Sequence, residues 1–196
     1  MQYYIYSLVC FLLPGTVWLI WNKGMIADKA YKVRHIIWIY IYLFYGYLAV
    51  QEAAGIGTIW DLIAYGKLDN SINLIPISSE GAMTYILNII MFMPLGFLLP
   101  LIWKNFRNAK KVVLMGFLMS LAIEICQLFN IRTTDIDDLM MNTLGTLVGY
   151  CCWKVFSLIF RNAGTKCVEM KKSEPVIYMF GGILGLFLLY NWRVFN

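Results

Sequence analysis

Six apolar runs, each close to the length of a bilayer crossing, limit what this chain can become: about Gln2–Trp21, Ile36–Ala54, Met83–Trp103, Val112–Asn130, Leu139–Phe160 and Val176–Trp192. A helix needs ~20 predominantly apolar residues to cross the hydrocarbon core, and the last run is near the short end of that range. The 196-residue chain is 61% hydrophobic and only 14% charged. Its mean hydropathy of +0.68 lies outside the range of a soluble globular domain. Lipid offers no partners to the backbone, so runs of this length fold as helices. The expectation is an all-α, polytopic membrane bundle of about six helices forming a single domain over residues 1–196. The first run has no basic residue ahead of it and no small-residue cleavage site after it, so we take it as a retained span rather than a signal peptide.

The net charge of +5 does not point to nucleic acid, because the basic residues follow the loops of a membrane topology. Thirteen of the sixteen fall in or beside the segments Asn22–His35, Lys104–Lys111 and Arg161–Pro175, and only Lys67, Arg132 and Arg193 fall on the other side. By the positive-inside rule both termini face outward, and the basic loops meet anionic lipid. Trp21, Trp38, Trp103 and Trp153 then fall at the inner boundary as an aromatic belt, with Trp60 and Trp192 at the outer one. The lone His35 borders the inner interface. Cys10, Cys126, Cys151 and Cys152 lie in apolar runs and read as small buried hydrophobes; no cysteine spacing suggests zinc or a redox pair.

Against this background the stretch Ser120–Tyr150 is anomalous. It places Glu124, Gln127 and Asn142 inside apolar runs, with Arg132, Asp135, Asp137 and Asp138 in the turn between them. A charge at the centre of a span costs roughly 2.5–3.5 kcal/mol on insertion scales, so such residues are usually functional. Glu124 lies about 9 Å below the outer end of its helix and Asn142 about 6 Å below the start of the next. Asn88 lies at similar depth. Helical spacing puts Ser120, Glu124 and Gln127 on one face, Asp138, Asn142, Gly145 and Gly149 on another, and Asn88, Phe92 and Gly96 on a third. If these faces converge, they make a polar pocket open to the outside. The bland alternatives are real: acids at a helix start complement the dipole, as does Arg132 after a helix end, and buried amides can bond helices together. Glu124 resists that reading, because a carboxyl at such depth needs a cation, a proton or a polar cavity.

The remaining features concern packing and the outer face. Gly145–Gly149 and Gly181–Gly185 have the spacing of close helix contacts. The long external connection, about Gly55–Ala82, begins with an amphipathic stretch at Ile59–Leu68 that suits a helix lying in the interface. Its second half, NSINLIPISSEG, is extended by Pro76 and broken by Gly81.

The ordered set of motifs resembles the VanZ family of membrane proteins. SINLIPI, from Ser71, is similar to the family's S-x-N-L-x-P-F, with Ile77 where Phe is frequent. NIIMFMPLGFLLP follows (Asn88, Phe92, Pro94, Gly96, Pro100), then Ser120-x-x-x-Glu124-x-x-Gln127, then Thr134-Asp135-Ile136-x-Asp138-x-x-x-Asn142-Thr143-x-Gly145. The resemblance covers roughly Ser71–Trp192. It implies a multi-pass protein of the bacterial plasma membrane, associated through the founding members with resistance to the glycopeptide antibiotic teicoplanin. It implies no reaction.

Two functions are compatible with these residues. In the first, an outward-facing site binds a lipidic ligand, a lipid-linked cell-wall precursor or the antibiotic. Arg132 would meet an anionic headgroup, and Asn73, Asn88, Gln127, Asp135 and Asn142 its polar part. In the second, an intramembrane enzyme uses Glu124 and Asp138 as acid and base, with a divalent cation at Asp135 and Asp138 as a weaker element. No serine–histidine or cysteine–histidine arrangement is available on the outer side. A transporter ranks last: no inverted repeat is evident and the inner half lacks a matching acidic relay.

Overall fold

The structure, a computed structural model, describes residues 2–22, 29–65, 72–77, 81–129, 134–160, 171–191 and 194. Each of the six apolar runs is a helix. In order these are α1 (Gln2–Asn22), α2 (Lys29–Tyr47), a short α3 (Ile59–Tyr65), α4 (Ala82–Ile102), α5 (Ala109–Gln127), α6 (Ile136–Ile159) and α7 (Glu174–Leu189). Among the described residues three helical stretches, Gln2–Asn22, Lys32–Gln51 and Ala82–Ile102, are long and apolar enough to cross a membrane by length and composition. The chain is therefore an all-α protein of membrane type. Helices α5 and α6 carry the polar residues noted above, and α7 has only 16 residues.

Helix ends follow local chemistry. Asn108 caps α5 by accepting from the Lys110 amide, and Asp135 caps α6 by accepting from the Asp137 amide. Pro175 occupies the first turn of α7, where its missing N–H costs nothing. Helix α1 continues through Pro14. After Tyr47, α2 widens into a π-helical turn, Leu48–Ala54, that stops at Gly55 with φ 63°. Thr58 then starts α3, its amide and hydroxyl both donating to Asp61. The amphipathic helix expected over Ile59–Leu68 is thus seen as Ile59–Tyr65; residues 66–71 lie outside the described ones.

The most extensive helix contact is α4 against α6, with α5 packed on α6 and α1 packed on α7. The first depends on glycine. A Cβ at Gly96 would fall 2.0 Å from the Thr146 carbonyl oxygen, one at Gly149 2.0 Å from that of Met93, and one at Gly145 2.3 Å from that of Ile89. Backbone meets backbone here, as small residues on membrane helices allow. Gly185 does the same for α1 and α7, where a Cβ would lie 2.3 Å from the Cys10 oxygen. The core is continuous, with Phe11, Tyr42, Phe92, Leu99, Met119 and Tyr178 wholly buried.

Several expectations are corrected at this level. Cys10 and Cys126 are buried, but Cys151 and Cys152 are exposed on the outer surface of α6. Trp103 and Trp153 are buried rather than part of a surface belt. His35 is buried too, at 5% exposure, so protein rather than headgroups surrounds its ring. Its Nε2 lies 2.9 Å from Oε1 of Glu174, which is itself wholly buried. Trp103 Nε1 donates to the other carboxylate oxygen at 2.9 Å, and Tyr178 OH to Oε1 at 3.1 Å. This end of the bundle therefore holds a buried carboxylate on which α2, the residue after α4, and α7 meet.

Candidate functional site

The opposite end of the bundle is built around the turn between α5 and α6. Thr134 and Asp135 form a two-residue strand, β2, that pairs in parallel with β1, Ile72–Asn73, in the register Ile72 to Thr134 and Asn73 to Asp135. This pairing draws the connection between α3 and α4 onto the start of α6. Asn73 Nδ2 donates to Asp135 Oδ2 at 3.0 Å, while Asp135 Oδ1 caps the helix. Beneath the pair, Glu124 Oε2 accepts from the Asp135 amide at 3.2 Å, and the Glu124 carbonyl accepts from Thr134 Oγ1 at 3.4 Å.

A second layer joins α4 to α6. Asn88 Nδ2 donates to Asp138 Oδ1. Asp137 Oδ2 accepts from Tyr85 OH at 2.8 Å, and its Oδ1 accepts from the Ile77 amide at 2.7 Å. Deeper still, Asn142 Nδ2 donates to Ser120 Oγ at 2.9 Å, and Thr146 Oγ1 donates to the Asn142 carbonyl. The Asn142 Oδ1 acceptor is buried and has no hydrogen-bond partner. A buried polar atom left unmatched costs about 1–3 kcal/mol, so this oxygen calls for an explanation.

The three faces drawn from helical spacing do converge. Glu124, Asp135 and Asn73 form one hydrogen-bonded group, Asn88 and Asp138 a second, and Asn142 and Ser120 a third. Gln127 is buried on the same face of α5, one turn beyond Glu124. Glu124, Gln127, Asp135 and Asn142 are all at most 5% exposed, so they are enclosed rather than lining an open surface. Arg132 lies outside the described residues. Asp137 is the residue that sequence reasoning left as a helix-start acid. It is wholly buried, and it ties both the loop and α4 to α6. As to the cation expected at Asp135 and Asp138, no three His, Cys, Asp or Glu side chains among the described residues are placed to hold a metal ion.

The loop carried on Asp137 is strained. Ile77 has φ 59°, a left-handed conformation that β-branched residues avoid. Its side chain is 71% exposed, so packing does not hold it there; the amide bond to Asp137 does. Ile77→Gly should remove the strain at little packing cost and raise stability by about 1 kcal/mol. Thermal unfolding of the purified protein in detergent checks this, and an unchanged or lower midpoint contradicts it.

The VanZ/LLP1 family model matches residues 4–157. The chain belongs to the VanZ/LLP1 family. Protein VanZ of Enterococcus faecium is 34% identical to it over 134 residues, which cover 67% of this chain and 77% of that protein. No solved structure matches. The VanZ/LLP1 match takes in α1 and α2, which precede the motifs read from the sequence, and ends within α6 before α7. All of the network residues just described lie inside it.

Proposed function

We propose that this VanZ/LLP1 member crosses the bacterial plasma membrane six times with both termini outside, and that the network around Glu124 and Asn142 binds a lipidic or lipid-linked ligand at the outer end. The charge distribution supports the orientation: basic residues cluster at the end that holds Lys104–Lys111 and Lys171–Lys172, opposite the network. The observation that carries the site is the orphaned Asn142 Oδ1, a buried acceptor without a hydrogen-bond partner. A ligand presenting a hydroxyl or amide N–H satisfies it. Cell-wall lipid precursors and glycopeptides are rich in both donors. Membership of a family whose founding members are associated with teicoplanin resistance supports counting teicoplanin, or the precursor it recognises, among the ligands we propose. Arg132, with Asn73 and Asn88, would address the charged or polar headgroup.

Binding and catalysis part in one experiment. Purified protein is incubated with a polyprenyl-linked cell-wall precursor, and both bound and free lipid are followed by mass spectrometry. We expect retention of intact lipid, reduced about tenfold in Asn142→Ala, which removes one buried hydrogen bond to the ligand. Turnover to a new product that disappears in Glu124→Gln would establish instead the enzyme reading, with Glu124 and Asp138 as acid and base. Neither retention nor turnover, by a protein folded as judged by its unfolding midpoint, excludes such a precursor as ligand.

A further inference from the structure

Far from the α5–α6 turn, α1 and α7 border an open groove of about 490 Å³ at the basic end of the bundle. That size falls within the ~300–1,000 Å³ typical of small-molecule sites. Its lining changes character along its length. Pro14 and Gly181 form the apolar end, Trp18 and Trp21 the middle, and Asn22 and Lys171 the polar mouth. From Pro14 to Trp21 the helix rises about 10 Å, so the groove runs from the interface well into the apolar layer.

Gly181 shows that this space is not a packing defect. The neighbouring glycines are needed for contact: a Cβ at Gly182 would fall 2.6 Å from the Phe11 ring, and one at Gly185 meets the Cys10 backbone. At Gly181 a Cβ would meet only the Pro14 Cβ at 3.4 Å, an ordinary contact. The close approach of α1 and α7 therefore does not require glycine at 181, and what its missing side chain does is keep the groove open. Trp18 is held edge-on against Tyr178 at 5.3 Å, which fixes the wall. Trp21 is 86% exposed, and Lys171, at the mouth, is exposed as well.

We propose that this groove is a binding site for an anionic phospholipid of the adjoining leaflet. The acyl chain lies between Pro14 and Gly181, and the phosphate meets the Lys171 ammonium at the mouth. The argument is the match of two gradients, apolar to cationic in the groove and acyl to phosphate in the lipid. The wider charge agrees, since the basic loops gather at this end and anionic lipid is attracted there by about 1 kcal/mol per Lys or Arg.

The full-length protein, purified in detergent, is mixed with phosphatidylglycerol or phosphatidylcholine, and bound lipid is counted by native mass spectrometry. We expect phosphatidylglycerol to be retained in preference to phosphatidylcholine. Lys171→Glu should weaken that retention about fivefold or more, and Lys110→Glu, the same charge change on another basic loop, should leave it unaltered. Gly181→Leu and Val17→Trp, which fill the groove from opposite walls, should each abolish it. Equal retention of the two lipids overturns the proposal, as does equal loss in Lys110→Glu and Lys171→Glu. So does normal retention in either groove-filling variant. Should both fillers fail to insert, the two exposed lysine variants decide alone.

Discussion

Asp137→Ala should cost about 3 kcal/mol or more of stability and release the loop 72–77 from the bundle. The side chain is wholly buried at the first turn of α6, yet it is not spent on that helix: Asp135 already caps it. Its two oxygens serve the Ile77 amide and the Tyr85 hydroxyl. Truncation leaves both donors without an acceptor and removes the bond that holds Ile77 at φ 59°. The strained residue then relaxes, and the β1–β2 pairing that seats Asn73 on Asp135 loses its neighbouring anchor. Asp137→Asn keeps one acceptor and should cost less. Two readouts separate this from a general loss of fold: the unfolding midpoint, and protease cleavage within 72–77, which should rise sharply in Asp137→Ala. A variant with a wild-type midpoint and an uncleaved loop contradicts this role.

The second large effect is expected at the other end. Glu174→Ala should destabilise by about 3 kcal/mol or more, because it leaves several buried donors without their acceptor. Three donors from three helices converge on this carboxylate: His35 of α2, Trp103 at the end of α4, and Tyr178 of α7 itself. Its position in the first turn of α7 adds a favourable dipole contact. Loss of the carboxylate strands all three donors in a dry environment and detaches the α1, α2 and α7 side from α4. Glu174→Gln should be intermediate, because the amide accepts from one donor but turns its N–H₂ toward another. Trp103 reports locally: its buried indole should shift to longer emission wavelength in Glu174→Ala, whereas an unchanged spectrum and midpoint would show that the cluster contributes little.

The polar cluster at the α5–α6 turn was largely legible because each of its helices has a regular period. Spacings of three and four place Glu124 beside Gln127 and Ser120, and the same arithmetic places Asn142 beneath Asp138. What period alone does not give is the partner, and here the glycines help. Gly96, Gly145 and Gly149 share faces with Asn88 and Asn142, so the close α4–α6 approach they permit brings the amides and acids together. Asp137 escaped because it points off the polar face of α6, and an acid in a first turn has a sufficient local explanation. The signal that would have found it is the triplet at 135, 137 and 138, which supplies more acids than one helix start needs.

The inner cluster was illegible for a different reason. His35 and Glu174 are 139 residues apart, and Glu174 follows a basic loop where a lone acid looks solvated. Trp103 at the end of an apolar run looks like an interface anchor. Each residue has a plausible local role, and only tertiary packing reveals that the three share one carboxylate. Gly181 shows the limit from the other side. Its spacing to Gly185 matches a helix-contact motif, yet the contact is made by Gly182 and Gly185.

The functional proposal turns on the residues around Glu124 and Asn142 binding teicoplanin or the precursor it recognises. The direct measurement is teicoplanin susceptibility of a sensitive bacterial host that expresses the wild-type chain, Glu124→Gln or Asn142→Ala, with membrane insertion of each confirmed. The account predicts that the wild type lowers susceptibility and that both variants, though inserted in normal amount, leave the host as sensitive as cells carrying no copy. Variants that insert normally and protect as well as wild type would contradict it, as would a wild-type chain that inserts and gives no protection.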